Sequence, residues 1–129
     1  MEFLTKQAVR LNLKISVSYP AAPTKPVVVL TWLGSKPTLP SILLNSHMDV
    51  VPVFAENWNY PPFGAVIDNG CIYARGSQDM KSVGMQYLSA IHALQIDGYH
   101  PKRTVNICYV PGLHYKISTT TCQIFYCYV

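Results

Sequence analysis

Apolar positions along the chain change period several times, and each change predicts an element. Phe3, Leu4, Ala8, Val9 and Leu11 recur at near-helical spacing, so a short helix is expected over residues 2–11. Leu13, Ile15 and Val17 then alternate with polar neighbours, which is the period of a strand. Pro20, Pro23 and Pro26 interrupt both kinds of structure and predict a turn over residues 19–26. The β-branched run from Val27 to Trp32 predicts a second strand, ended by Gly34 and Pro37. From Ile42 to Val53 the chain is apolar on both faces around His47, Met48 and Asp49, the pattern of a strand covered on both sides. A central position in an α/β sheet is expected for it.

Residues 54–70 hold Trp58, Tyr60, Pro61, Pro62 and Phe63 with no regular period, so they read as an aromatic loop ending in the turn Asp68-Asn69-Gly70. A short strand follows over residues 71–74. From Met80 the apolar positions Val83, Gly84, Tyr87, Leu88, Ile91 and Leu94 keep helical spacing, giving the clearest helix in the chain, with Gly98 as its stop and Pro101 beyond. Thr104 to Val110 alternates and is β-branched, predicting a last strand that ends at Pro111. Strand, helix, strand in this order predicts a right-handed crossover in a parallel or mixed sheet.

Composition narrows the class. At 129 residues, half of them hydrophobic and 12% charged, the chain has the size and apolar content of one folded domain or part of one. Its net charge of +4 comes from scattered lysines and arginines, with no basic run longer than Lys102-Arg103, which argues against nucleic-acid binding. No apolar stretch approaches the ~18 residues of a membrane span. Cys71, Cys108, Cys122 and Cys127 show no Cys-x-x-Cys spacing, and the first residues lack an apolar signal core, so buried free thiols in a reducing, cytoplasmic setting are expected.

Two segments carry chemistry. His47 and Asp49 stand two residues apart at the end of the apolar strand, so the carboxylate can accept a hydrogen bond from whichever ring nitrogen is turned away from a metal. An isolated His-x-Asp is also what a satisfied core histidine looks like; a site at the carboxyl end of a sheet strand, where α/β folds place ligands, favours the metal. Asp79 stands at the start of the strong helix, where it either caps the N-terminus or bridges two cations. Lys81 and Arg75 flank it and read as solvated charges before they read as substrate contacts. Trp58, Tyr60 and Phe63 line a pocket or pack over a sheet edge, and His92 and His100 read as surface residues. No carboxylate follows Asp97.

Together, Ser41 to Phe54, then Trp58, Pro62-Phe63, Ile72 to Lys81, and Arg103 to Val105 with Tyr109-Val110-Pro111, resemble the M20 metallopeptidase family, and within it the aminoacylases. The resemblance implies a partial three-layer α/β/α zinc-peptidase-like catalytic domain with a mostly parallel mixed sheet. Residues 1–111 would form its N-terminal part and residues 112–129 a divergent tail. It implies two zinc ions, hydrolysis of N-acyl-L-amino acids and homodimeric relatives. By position, His47 resembles a ligand of the first zinc, Asp79 the carboxylate that bridges both, and Asp49 the acidic partner of the histidine.

The family continues from the last strand into a Glu-Glu pair, a general base and a zinc ligand; here Leu113 and His114 stand in those places. A leucine takes no proton from water. The expectation is therefore an incomplete site in a truncated chain. The alternatives are a non-catalytic fragment that associates with a full-length relative, or another M20 activity such as a carboxypeptidase, dipeptidase or desuccinylase.

Overall fold

The computed structural model describes residues 1–20 and 22–112; the tail with Leu113, His114, Cys122 and Cys127 lies outside the described residues. Helix α1 (Glu2–Arg10) leads into strand β1 (Lys14–Ser18), followed by β2 (Val27–Trp32) and β3 (Ile42–His47). Two three-residue strands, β4 (Val66–Asp68) and β5 (Cys71–Tyr73), precede helix α2 (Ser82–Ile96) and strand β6 (Val105–Val110). The main sheet has the order β1-β2-β6-β3. β1 with β2 and β2 with β6 pair antiparallel, and β3 with β6 pairs parallel. The expected mixed α/β sheet is present, but among the described residues its antiparallel pairings outnumber the parallel one.

Alternation sorts the strand residues onto two faces. Val28, Leu30 and Trp32 of β2 and Ile107 and Tyr109 of β6 form one core with Leu4, Ala8 and Leu11 from the first helical segment and Leu88 and Ile91 of α2. Both described helices therefore lie on the same face, and the three-layer arrangement reduces here to two layers. On the other face Val27, Cys108 and Val110 form a smaller buried cluster. Leu30 and Ile107 are fully enclosed, each contributing about 1.5–3 kcal/mol by leaving water.

Several sequence expectations change. β3 stops at His47 and forms an edge of the sheet among the described residues, with Ile42 47% and Leu43 41% exposed. The crossover to β6 starts from β3, because β5 pairs only with β4 in a separate hairpin. That hairpin adds β4, which the aromatic loop concealed. Its two-residue turn has Asn69 at φ 47° and Gly70 at φ 76°, the paired left-handed conformation that Asn-Gly adopts readily. Cys71 is exposed, not buried, and Cys108 is buried; both thiols are free. No helix among the described residues is long and apolar enough to cross a membrane.

How α2 sits on the sheet decides where the site residues meet. A Cβ at Gly84 would lie 2.9 Å from both Ser46 Oγ and Tyr109 Cε1, so only glycine allows the helix this close. Tyr109 donates its hydroxyl hydrogen to the Gly84 carbonyl at 2.8 Å, a buried bond. Burial raises the Tyr109 hydroxyl well above its usual range and lifts the Cys108 thiol from 9.0 to about 11.

Two measurements follow. Gly84→Val must lift α2 or displace Ser46 and Tyr109, and is expected to cost about 2–3 kcal/mol in urea unfolding; an unchanged midpoint would show that the close approach is not required. Because the folded pKa of Cys108 is raised, its stabilising contribution is complete below pH 9 and disappears as pH climbs toward about 11, where the unfolded chain ionises first. A Cys108→Ala variant is expected to lose that part of the alkaline destabilisation in pH-dependent melts, leaving the share due to Tyr109.

Candidate metal centre

His47 is the last residue of β3, paired with Val110 of β6. The strand ladder continues one bond further, from the Met48 amide to the Val110 carbonyl at 2.8 Å, and then the backbone turns. This turn folds Asp49 back over the imidazole. His47 is 4% exposed, and its Nδ1 lies 3.1 Å from the Asp49 carbonyl oxygen and 3.1 Å from Asp49 Oδ1. The directed hydrogen bond goes to the carbonyl; Oδ1 is buried with no hydrogen-bond partner of suitable geometry, so its contact with the ring is electrostatic. The pairing expected from strand alternation thus exists, but a turn makes it and the backbone shares it.

The other ring nitrogen faces Asp79. His47 Nε2 and Asp79 Oδ1 are 3.1 Å apart, with the Asp79 side chain 59% exposed. Asp79 lies in a π-helical turn over Ser77–Lys81 with non-helical dihedrals (φ −113°, ψ 99°), and its peptide bond to Met80 is cis. Helix α2 begins later, at Ser82, and has no side-chain cap. The capping alternative for Asp79 is therefore excluded by position: its carboxylate is turned to the histidine.

The two motif segments are tied together at several points. Gly76, at φ 84°, opens the turn and packs against Val50 Cγ1, leaving no room for a side chain. Lys81 donates to the Met48 carbonyl at 2.6 Å, and Ser46 Oγ lies 3.5 Å from the Met80 carbonyl. Lys81 is therefore a clamp between the strand end and the helix start, which sequence spacing gives no means of seeing. Arg75 is likewise no solvated charge: it is half-buried with its guanidinium 5.1 Å from the Trp58 ring, and its amide bonds the Pro62 carbonyl at 2.7 Å. Gly112 completes the enclosure, since a Cβ there would lie 2.8 Å from Asp49 Oδ2.

Other candidates fall away from this cluster. Tyr60 stacks on Tyr73 with ring centroids 4.4 Å apart and donates to Asp68 Oδ2 at 2.7 Å, which raises its hydroxyl pKa. Phe63 is 69% exposed. His100 is exposed near Trp32, and His92 lies on the α2 flank that faces α1, so neither reaches His47.

Chemically, an imidazole nitrogen and a carboxylate oxygen converge on one point. Two donors on a single tetrahedral zinc with bonds of ~2.0–2.1 Å stand about 3.3 Å apart, close to the observed spacing. A carboxylate with one oxygen so placed keeps its second oxygen for a neighbouring ion. Among the described residues no group of three or more His, Cys, Asp or Glu side chains is placed to hold a metal ion.

Residues 43–112 match the model of peptidase family M20/M25/M40. Aminoacylase-1 of Mus musculus is 52% identical over 113 residues, which cover 84% of this chain and 27% of the mouse protein. Among solved structures, an M20 family metallo-carboxypeptidase from Sulfolobus solfataricus superposes with a TM-score of 0.72 at 29% identity, over 84% of this chain and 24% of that one. Human carnosine dipeptidase 1 superposes with a TM-score of 0.76 at 20% identity, over 96% and 28%, a likeness of fold. The chain spans about a quarter of the length of these relatives. With more than half of its residues matched to the family model, and with the strand-end histidine and turn aspartate inside that match, the chain belongs to the M20 peptidase family.

Proposed function

We propose that the chain carries the first part of a two-zinc amidohydrolase site, of the kind that releases an amino acid and a carboxylate from an N-acyl-L-amino acid. The observation that carries this reading is the convergence of His47 Nε2 and Asp79 Oδ1 at 3.1 Å, in a chain 52% identical to mouse aminoacylase-1 over 113 residues. The carboxypeptidase reading draws on lower identities, 42% and 29%, and the dipeptidase reading on 24% and 20%. Residues 1–111 are read as the N-terminal part of the catalytic domain, with the tail 112–129 outside it.

His47 and Asp79 would hold zinc. Bound there, the metal supplies Lewis-acid polarisation of an amide carbonyl and of water. His47 is kept in one ring orientation by the Asp49 carbonyl, which accepts from Nδ1–H, the tautomer in which Nε2, on the Asp79 side, would be the donor to a cation. The Asp49 carboxylate, 3.1 Å from the same nitrogen, makes the imidazole a stronger donor. Lys81 fixes the distance between the two segments through the Met48 carbonyl. The proton-accepting glutamate has no counterpart at Leu113, so hydrolysis requires groups beyond those described.

A chimera tests the activity. Residues 1–111, placed in mouse aminoacylase-1 in exchange for the matching quarter, are expected to support zinc-dependent hydrolysis of N-acetyl-methionine. His47→Ala or Asp79→Ala in the chimera should abolish it, and a folded but inactive parent chimera would refute the reading. The 129-residue chain alone is expected to bind zinc weakly in calorimetric titration and to show no turnover, because two donors leave tetrahedral zinc half satisfied. In the chimera, Asp49→Asn should weaken zinc affinity about 10–100-fold without unfolding the protein. Equal zinc affinities in the chimera with and without Asp49→Asn would remove Asp49 from the site.

A further inference from the structure

At the end of the sheet remote from His47 lies a cavity that the metal centre does not use. Trp32 closes β2 opposite Val105, the first residue of β6, whereas His47 pairs with Val110, the last, so the two regions stand about 17 Å apart along β6. The cavity holds about 480 Å³, and all its walls come from three described segments, 12–14, 31–33 and 95–100. That volume lies within the range of small-molecule sites.

Its walls are tied to one another by the fold. Lys14 pairs with Thr31 in the β1–β2 ladder. Gln95 donates from Nε2 to the Leu11 carbonyl at 2.8 Å, which joins the end of α2 to the turn between α1 and β1. Gly98, at φ 72°, then reverses the chain, and the Ser35 amide bonds the Pro101 carbonyl at 2.9 Å, holding the returning segment against the residues that follow β2. Tyr99 and His100 are thereby set edge-on to Trp32, with ring centroids 6.2 and 6.5 Å away. Trp32 is 7% exposed and Tyr99 52%, so the indole belongs to the floor and the phenol to the rim.

The lining selects a ligand class. Three rings favour a planar apolar body. Among the lining side chains stand one lysine, Lys14, and no Asp or Glu, so a single negative charge suits the cavity. α2 brings its carbonyl end here, the negative pole of a helix, which disfavours a phosphate or other polyanion, and an organic cation would meet Lys14. Gln95 Oε1 is a side-chain acceptor, because the amide nitrogen is engaged by Leu11, and so is His100 Nε2, because Nδ1 donates to the Pro101 carbonyl at 3.2 Å. Both call for an N–H on the ligand. We propose that the cavity binds a small planar aromatic monocarboxylate with a ring N–H, its ring among Trp32, Tyr99 and His100 and its carboxylate at Lys14. This inference does not depend on the metal-site reading.

Calorimetric and ligand-observed NMR titrations of the 129-residue chain test it, with EDTA present so that no metal recruits the carboxylate. The probes are indole-3-acetate and its neutral twin, indole-3-acetamide. The acid is expected to bind with a Kd of about 0.1–1 mM, and about two- to fivefold more tightly than the amide. That comparison needs no variant. Lys14→Gln should remove the preference for the acid, and Tyr99→Ala should weaken both compounds about two- to tenfold. Both side chains are exposed, and circular dichroism checks that each variant is folded. Lys6→Gln, on α1 and outside the lining, should change neither affinity. Absence of saturable binding at about ten times the expected Kd overturns the proposal. Equal affinities for acid and amide also overturn it, as does binding that Lys14→Gln or Tyr99→Ala leaves unchanged or that Lys6→Gln weakens.

Discussion

The site depends on the contact between Gly84 and Tyr109. His47 belongs to a strand and Asp79 to the turn before a helix, and they meet only because α2 is drawn against the sheet until no side chain fits at position 84. The buried bond from the Tyr109 hydroxyl to the Gly84 carbonyl, 2.8 Å long, fixes that approach from the neighbouring strand. A helix packed at an ordinary side-chain distance would carry the Ser77–Lys81 turn outward and separate the imidazole from the carboxylate. Lys81 reaching the Met48 carbonyl and Gly76 packed on Val50 then make the placement specific.

Much of this was legible in the sequence because it depends on period and on local chemistry. Helix 82–96 and the strands 27–32 and 105–110 follow directly from hydrophobic spacing, and Gly98, at φ 72°, follows the helix as its stop. What failed depends on tertiary context. The apolar run after His47 suggested a strand to Val53, whereas the backbone turns at Asp49 to put its carbonyl and carboxylate on the ring. β4 was hidden because three residues carry no readable period, although Asn-Gly flanked by Ile67 and Ile72 was a hairpin signal. The edge position of β3 escapes the sequence for an instructive reason: its composition is that of a central strand, and only the sheet order shows that one side is unfilled among the described residues.

At the site, residue types were legible and directions were not. His47, Asp49 and Asp79 were identifiable as candidates for a metal site, but spacing does not say whether Asp79 caps a helix; its non-helical dihedrals and 3.1 Å approach to Nε2 answer that. Lys81 and Arg75 looked like solvated charges because sequence shows no partner for them. The clamp to Met48 and the stacking on Trp58 join elements that are 33 and 17 positions apart in the chain.

The central claim is that His47 and Asp79 are donors to one metal ion. X-ray absorption at the zinc edge of the zinc-loaded 129-residue chain reads the donors directly. The account predicts a single imidazole in an otherwise oxygen shell, with that imidazole signal lost in His47→Ala. Two or more imidazoles, or a sulfur contribution, would place the ion elsewhere in the chain and contradict it.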